Sequence, residues 1–252
     1  MRWIVTGMNG TVAPRLAAAL RARGEEVLAW DRSRVSPGDE GAMRAFVDES
    51  GAGGICHLAM GAPEWAAAMA RLCVERCMPY LFTSSVSVFA ATQRGPLGVE
   101  IVPEASDDYG RYKQECERQV AAAHPEAIIA RLGWQIGDAP GSNTMTDYLT
   151  RAAADGAGRV EASTRWIPSS CFLDDTAAAL VHLLDRGEGG LFQVEGNPDA
   201  LSLNEIAARL ADRLETGWDV IPTEDVVMDN RMLDPRVPVR SLSERLNRLA
   251  GS

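Results

Sequence analysis

Tyr109 and Lys113 are two residues whose types and spacing could move a proton. They stand four positions apart, so on a helix both side chains can enter one pocket. A tyrosine holds its proton too tightly to relay it well at neutral pH, and a nearby cation favours the phenolate. Lys113 is the only lysine among 25 Lys and Arg residues, and a compact ammonium suits this role better than a guanidinium. The alternative is a solvated lysine on an amphipathic helix.

A hydroxyl group stands upstream of this pair. The run LFTSSVSVF ends a predicted strand and places Ser85, or alternatively Ser84, at the carboxyl edge of a sheet. Open α/β sheets bind ligands at that edge. The serines therefore predict a ligand-facing hydroxyl there, although both could simply terminate the strand.

A glycine turn near the N-terminus could hold a pyrophosphate. Gly7 and Gly10, followed by Ala13, give the pattern T-G-x-x-G-x-x-A between a strand and a helix. Glycine lets the backbone approach the phosphates, and the positive end of the helix dipole favours an anion. The pattern favours a dinucleotide, although two glycines before a helix are common in α/β proteins.

The residues after the second predicted strand bear on the choice between NAD and NADP. Asp31 can accept both ribose hydroxyls of NAD and would repel a 2'-phosphate, whereas Arg32 and Arg34 could pair with that phosphate. We expect NAD, with NADP as the alternative. Asp31 could also merely open a loop beside solvated arginines.

The elements that position these residues alternate between strand and helix. Continuous apolar runs, typical of strands buried on both faces, predict a parallel sheet; they are residues 2–6, 26–30, 54–59, 79–84 and 127–132. Helical patterns separate them at residues 11–24, 39–50, 64–77 and 109–124. This order predicts a doubly wound α/β fold of Rossmann type.

The chain changes character near residue 138, where Gly, Pro and polar residues become denser. We expect residues 1–137 to form a dinucleotide-binding core. Residues 138–252 would be a mixed region, with a returning core strand and helix and a small substrate-binding lobe. The segments 174–187 and 202–215 predict helices there, and 191–196 predicts a strand.

Composition narrows the classes of partner. A chain of 252 residues with a formal net charge of −10 would be repelled by nucleic acids and anionic membranes, so we expect a small-molecule partner. No basic leader precedes a long apolar run, which predicts a cytoplasmic protein. The five cysteines form no Cys-x-x-Cys, so we expect buried reduced thiols and no metal site.

Together these motifs, in this order, resemble the extended short-chain dehydrogenase/reductase superfamily, also called the NAD-dependent epimerase/dehydratase superfamily. The segment VPEASDDYGRYK is similar to its P-x-E…Y-G-x-x-K segment, and HLA, residues 57–59, is similar to its fourth strand. Three features look most like the dTDP-4-dehydrorhamnose reductase branch of this superfamily. They are the short region between the second and third strands, the segment ARLGWQIG and the short C-terminal lobe.

The resemblance implies a catalytic role for each of three residues. Tyr109 would exchange a proton with the carbonyl oxygen of a substrate, Ser85 would hold that oxygen, and Lys113 would bind the nicotinamide ribose and lower the pKa of Tyr109. The cofactor-binding residues implied are Gly7, Met8, Asn9, Gly10, Thr11, Val12, Asp31, Arg32, Leu58, Ala59, Met60, Thr83 and Lys113.

The substrate is a ketone in this interpretation, and a nucleotide-linked 4-keto-deoxysugar is the substrate expected. Val86 and Ser87 follow Ser85 where dehydratases of the superfamily carry acids, so elimination of water is not expected. Candidate substrate contacts are Ser87, Trp134, Asn143, Arg165, Trp166 and Arg240. A sugar-nucleotide 4-epimerase, a small-ketone reductase and a non-catalytic NAD(P)-binding regulatory or sensor protein are the alternatives. The resemblance also suggests a homodimer through helices 64–77 and 109–123.

Overall fold

The computed structural model describes residues 1–138 and 143–247. The helices are α1 (Ala13–Ala22), α2 (Glu40–Ser50), α3 (Pro63–Glu75), α4 (Asp108–Ala123), α5 (Met145–Asp155), α6 (Leu173–Arg186), α7 (Leu203–Arg213) and α8 (Leu242–Asn247). The strands are β1 (Arg2–Val5), β2 (Glu26–Ala29), β3 (Gly54–His57), β4 (Tyr80–Ser85), β5 (Leu97–Gly98), β6 (Ile128–Leu132), β7 (Trp134–Ile136), β8 (Arg159–Ser163), β9 (Trp166–Ile167), β10 (Ser170–Phe172), β11 (Gly190–Val194), β12 (Asp219–Thr223), β13 (Met228–Asp229) and β14 (Met232–Leu233).

A six-stranded parallel sheet forms the centre of the molecule. Its strand order is β11-β6-β4-β3-β1-β2, and every pairing within it is parallel. The order reverses direction beside β1, and a crevice opens at the carboxyl ends of the strands at such a point. The predicted doubly wound α/β fold is confirmed.

Helices cover both faces of this sheet. One apolar cluster joins the sheet to α2, α3 and α4. A second cluster joins the opposite face to α1 and α6, which also pack on each other. Because both faces are covered, the central strands β3, β4 and β6 are buried along their whole length, as their continuous apolar runs predicted.

The helix that carries Tyr109 and Lys113 has a defined start. Asp107 caps α4 by accepting a hydrogen bond from the backbone N–H of Gly110 at 2.7 Å. Such a cap satisfies one of the unpaired amides of the first turn. The cap fixes the residue at which α4 begins, and Tyr109 therefore lies in the first turn of this helix.

The region after residue 137 contributes to two different cores. β11 pairs with β6 in the central sheet, and α6 packs on α1, so both belong to the dinucleotide-binding half. A third apolar cluster unites α5, α7, α8, β8 and β10 in a separate lobe. Of the predicted region 138–252, residues 139–142 and 248–252 lie outside the described residues.

Four cysteines are buried, but Cys77 is exposed, so the expectation of buried thiols is wrong at that position. Cys77 follows the end of α3 with a positive φ of 51°, in a connection on the surface. Among the residues that the structure describes, no helix is long and apolar enough to span a membrane.

Candidate active site

The glycine turn after β1 is locked against the loop after β3. Gly7 has a φ of +80°, and a Cβ added there would lie 3.0 Å from the backbone nitrogen of Ala59. The hydroxyl of Thr6 accepts hydrogen bonds of 3.0 Å from the amides of Leu58 and Ala59. The Gly7 carbonyl accepts from the amide of Gly10 at 2.7 Å. The backbone after β3 occupies the place of a side chain at Gly7, and the positive φ favours glycine, so this residue keeps the turn tight beneath the cleft.

The cleft above this turn consists of two adjoining cavities that share Gly7, Gly10, Leu58 and Met60. The cavity toward β2 has a volume of about 710 Å³, and the cavity toward α4 has about 430 Å³. Together they are lined by every predicted cofactor residue: Gly7, Met8, Asn9, Gly10, Thr11, Val12, Asp31, Arg32, Leu58, Ala59, Met60, Thr83 and Lys113. The structure thus brings residues from five separate segments to one cleft.

Asp31 and Arg32 stand at the β2 end of this cleft. One carboxylate oxygen of Asp31 accepts hydrogen bonds from the amide of Ser33 at 2.8 Å and from its hydroxyl at 2.7 Å. These bonds hold the pKa of Asp31 below its usual range. The guanidinium of Arg32 lies 4.7 Å from the centre of the Trp65 ring and donates to the carbonyl of Met60. A charged acceptor and a charged donor therefore stand side by side.

Ser85 and Tyr109 meet at the other end of the cleft. Ser85 ends β4, accepts a hydrogen bond from the Ser87 amide at 3.1 Å and donates to the Ser87 hydroxyl at 3.2 Å. Tyr109 is close enough for the Ser85 hydroxyl to lower its pKa. Gly110 explains how α4 comes this close, because a Cβ there would overlap the carbonyl oxygen of Ser87.

Lys113 is nearly buried, with 4% of its surface exposed. Its Nζ donates to the carbonyl of Thr83 at 2.9 Å and lies 6.0 Å from the centre of the Tyr109 ring. Burial disfavours the charged form and lowers the pKa of Lys113 to about 8, although Cys116 and Glu117 act in the opposite direction. This lysine is a buried group that faces the cavity, and the solvated-surface alternative is wrong.

The pKa of Tyr109 shifts in the direction opposite to the one expected from a nearby cation. The pKa of Tyr109 is raised, first by desolvation and then by the charge of Asp107, while the Ser85 hydroxyl lowers it. Lys113 is not among the causes of this shift. The amine is turned toward Thr83, and its own desolvation weakens the charge that was expected to favour the phenolate.

A buried ion pair holds α4 against the sheet one turn beyond Lys113. Glu117 accepts two hydrogen bonds from Arg131 on β6, of 2.9 and 2.7 Å, and both side chains are almost fully buried. The guanidinium also lies 4.9 Å from the centre of the Phe89 ring. A two-pronged contact of this kind fixes orientation as well as distance.

The structure places three of the predicted substrate residues at the cavity and three elsewhere. Ser87, Trp134 and Asn143 line the cavity that contains Tyr109. Trp166 does not line it but stacks on Trp134, with ring centres 5.7 Å apart. Aromatic packing therefore places Trp166 behind the cavity wall.

Arg165 and Arg240 are also not among the residues that line this cavity. Arg165 is paired with Glu224 at 3.6 Å on an exposed surface. Arg240 is bound to Asp175 at the start of α6, with an Nε to Oδ1 distance of 2.7 Å. In both cases a carboxylate elsewhere in the chain binds the guanidinium outside this cavity.

Sequence reasoning missed several residues that line this cavity. They are Ala13, Val86, Leu132, Gly133 and Gln135, and Ser84 was named only as an alternative to Ser85. Ser85 and Leu132 are register partners in neighbouring parallel strands, so the residues that follow β6 reach the same edge as those that follow β4. The segment GWQ directly after a buried strand was the available signal.

Comparisons with known proteins identify the family of this chain. The family model described as the RmlD substrate binding domain matches residues 1–226. The dTDP-4-dehydrorhamnose reductase of Mycolicibacterium smegmatis is 30% identical over 201 residues, which cover 74% of this chain and 61% of that protein. This chain thus spans about three fifths of the length of that relative.

Solved structures resemble the fold over almost the whole chain. A dTDP-4-dehydrorhamnose reductase from Clostridium acetobutylicum superposes with a TM-score of 0.83 at 16% identity, covering 99% of this chain and 98% of the other. The dTDP-4-dehydrorhamnose reductase from Bacillus anthracis in complex with NADP gives a TM-score of 0.82 at 17% identity, covering 98% of each chain. At these identities the likeness concerns the fold. On the family match, the chain belongs to the RmlD substrate binding domain family.

Proposed function

We propose that this protein is an NAD(P)H-dependent oxidoreductase that reduces the ketone of a nucleotide-linked 4-keto-6-deoxysugar. The observation that carries the proposal is that Ser85, Tyr109 and Lys113 line one cavity. That cavity adjoins the cleft above the glycine turn. A hydroxyl pair and an amine beside a dinucleotide-sized cleft are the groups that carbonyl reduction requires.

The residues present fit a dinucleotide. Gly7 and Gly10 line both cavities and would receive the pyrophosphate on the backbone of a turn that is too tight for a Cβ at either position. Thr11 and Val12, which directly precede α1, line the cleft together with its first residue, Ala13, so the positive end of the helix dipole faces the same place. A bound reduced nicotinamide would supply the hydride.

In this mechanism Tyr109 donates its proton to the carbonyl oxygen of the substrate. The raised pKa of Tyr109 keeps the phenol protonated at neutral pH and so supports donation, the reductive direction. Ser85 would turn the proton that it donates to the Ser87 hydroxyl in the structure toward the same substrate oxygen. Lys113, at 2.9 Å from the Thr83 carbonyl, keeps further N–H donors for a ribose hydroxyl.

NADPH is the reductant that we propose, in place of the expected NADH. Asp31 favoured NAD, but one of its oxygens is already occupied by Ser33, which reduces its capacity to accept ribose hydroxyls. Arg32 stacks on Trp65 through its face, so N–H groups in the guanidinium plane stay available to a 2'-phosphate. The similar protein from Bacillus anthracis was solved with NADP.

The names of similar proteins support the substrate class. The relative from Mycolicibacterium smegmatis is a dTDP-4-dehydrorhamnose reductase, and such a substrate carries a 4-keto group on a nucleotide-linked deoxysugar. Val86 and Ser87 line the cavity beside Ser85, and neither can act as the acid or base of a dehydration. Reduction of a sugar ketone is therefore favoured over elimination.

The test is turnover of purified protein with NADPH and with NADH, each with dTDP-4-keto-6-deoxyglucose or a small ketone. We expect stoichiometric oxidation of NADPH with the sugar nucleotide. Interconversion of the C4 epimers of a 4-hydroxy sugar nucleotide with oxidised cofactor, without net reduction of that cofactor, would identify an epimerase. Turnover of the small ketone alone would identify a small-ketone reductase. Binding of NADPH without turnover of any of these would favour a regulatory or sensor protein.

The homodimer through α3 and α4, like the cytoplasmic location, stays part of this proposal. The exposed residues of the two helices include charged pairs within the chain, such as Arg71 with Glu40 and Arg118 with Glu115. An interface there would thus be largely polar. Gel filtration at low and high salt tests it: a dimer that dissociates with salt is expected, and a monomer at every salt concentration would contradict it.

A further inference from the structure

Gln135 has a buried polar atom without a hydrogen-bond partner, and its side chain lines the candidate active site. The side chain lines the cavity that contains Tyr109 and is 7% exposed. Its Nε2 donates to the carbonyl of Gly133 at 2.9 Å, whereas its Oε1 has no hydrogen-bond partner. Because the Gly133 carbonyl can only accept, this contact fixes which end of the amide is the free one.

The position of Gln135 is on the substrate side of the cleft. It belongs to β7, which pairs with β10 outside the six-stranded sheet. The predicted cofactor residues come from that sheet, from the loops that follow its strands and from α4. Ser87, Trp134, Gln135 and Asn143 line this cavity but not the one toward β2, and we call them the substrate wall.

We propose that Gln135 is a specificity-determining residue that accepts a hydrogen bond from a hydroxyl of the substrate. The inference rests on the proposed function and adds to it a substrate requirement: a sugar hydroxyl close to the ketone, at C2 or C3. A buried amide oxygen costs free energy when it is unpaired. A substrate that brings an O–H donor removes this cost, and an analogue that lacks the hydroxyl does not.

The chain offers a matched control for the test. Gln193 on β11 is also buried, donates through Nε2 to the Leu97 carbonyl at 2.9 Å and has an unpartnered Oε1. It is not among the residues that line the active-site cavity. Replacing either glutamine with methionine keeps the length of the side chain and removes the amide, so any general cost of losing a buried amide appears in both variants.

The experiment compares the wild-type protein with the Gln135→Met and Gln193→Met variants. The substrates are the 4-keto-6-deoxysugar nucleotide and its 2-deoxy and 3-deoxy analogues. For Gln135→Met we expect KM for the full substrate to rise about 10-fold while kcat changes less than about 2-fold. Wild type and Gln193→Met should disfavour one deoxy analogue about 10-fold, and Gln135→Met should treat it like the full substrate.

Each other outcome decides the proposal. If KM for the sugar nucleotide is unchanged in Gln135→Met, Oε1 does not bind the substrate. If only KM for NADPH rises, Oε1 binds the amide of the nicotinamide. Either result would overturn the inference. If wild type binds the sugar nucleotides in calorimetry without oxidising NADPH, the proposed reaction fails. The same comparison of affinities then still decides the role of Gln135. If wild type binds neither the sugar nucleotides nor NADPH, both the proposed reaction and the role of Gln135 are overturned. Melting curves show whether each variant is folded.

Discussion

The cofactor cleft and the substrate wall of the same cavity are built in different ways. The cleft is made mainly of backbone: the Gly7 turn is packed against Ala59, and Thr6 bonds the amides of the β3 loop. The substrate wall is made of side chains from separate segments, among them Ser87, Trp134 and Asn143. Backbone geometry follows from local residue types, whereas the wall depends on which distant segments meet.

The difference also concerns charge. Arg32 lines the cleft and donates a hydrogen bond there to the Met60 carbonyl. Arg165 and Arg240, which were predicted to contact the substrate, are instead paired with the carboxylates of Glu224 and Asp175. The wall is instead aromatic and neutral, with Trp134 stacked on Trp166. We infer that the substrate is bound by ring packing and neutral hydrogen bonds close to the reacting carbon. The following variants test this comparison.

Tyr109→Phe should have the largest effect. Without the phenolic proton, turnover should fall by roughly 10²- to 10⁴-fold, while NADPH affinity stays the same because the cleft is intact. Steady-state rates and a fluorescence titration measure the two quantities. Tyr148→Phe is the matched control, since both tyrosines are 42% exposed and Tyr148 is not among the cavity-lining residues. Equal rates for the two variants would remove Tyr109 from the mechanism.

Gly110→Ala should separate the two parts of the site. Alanine favours a helix, but its Cβ would overlap the Ser87 carbonyl oxygen, so α4 must move away from Ser85. We expect kcat/KM to fall on the order of 10- to 100-fold, as expected for misplaced catalytic groups, with cofactor affinity nearly unchanged. Gly38→Ala, where the nearest side-chain atom is 4.0 Å away, is the control. Full activity in Gly110→Ala would show that the Tyr109 position tolerates this shift.

Lys113→Met should lose activity and gain stability. The folded-state pKa of about 8 lies below the ordinary 10.5, so the unfolded chain holds a proton that the folded chain has released between these values. The stability of wild type should therefore rise as the pH increases from about 8 to 10.5. Below about pH 8, the destabilisation by the buried charge of Lys113 should be fully present. At pH 7 the variant should be more stable by roughly 1–3 kcal/mol.

Urea unfolding of wild type and Lys113→Met at pH 7 and pH 10 measures this difference. We expect the gain of the variant to shrink at the higher pH, because the folded wild type is then largely uncharged at this position. A gain that is independent of pH would mean that the buried charge is not its source.

Arg32→Ala should weaken NADPH binding about 10-fold, the loss expected for one charged hydrogen bond, and leave NADH binding nearly unchanged. NADH is the matched ligand because it lacks only the 2'-phosphate. Titration of both nucleotides measures the two affinities, and melting curves report the lost packing on Trp65. An equal loss for both would mean that Arg32 acts through this packing.

Arg165→Ala should have the smallest effect. Its partner Glu224 is exposed and 3.6 Å away, and pairs of this kind contribute about 0–1 kcal/mol. We expect kcat/KM within about 2-fold of wild type, consistent with a residue outside the cavity. A 10-fold rise in the sugar KM would restore Arg165 to the substrate wall and contradict the contrast drawn above.

The fold and the cofactor cleft could be predicted from the sequence because local rules determine them. The buried strands gave continuous apolar runs, and the spacing of Tyr109 and Lys113 gave their common face on α4. The pKa direction of Tyr109 could not be predicted, since it depends on desolvation and on Asp107. Gln135 was missed because its role depends on a cavity formed by β7 and distant elements.

If the cleft and the wall form one reductase site, hydride must pass from NADPH to the sugar within it, and isotope labelling follows that transfer. NADPH carrying deuterium at both C4 positions of the nicotinamide would be incubated with dTDP-4-keto-6-deoxyglucose and the protein, and the product examined by NMR. The account predicts deuterium on C4 of the sugar with wild type and almost none with Tyr109→Phe. Product formed without deuterium at C4, or equal transfer in the variant, would contradict it.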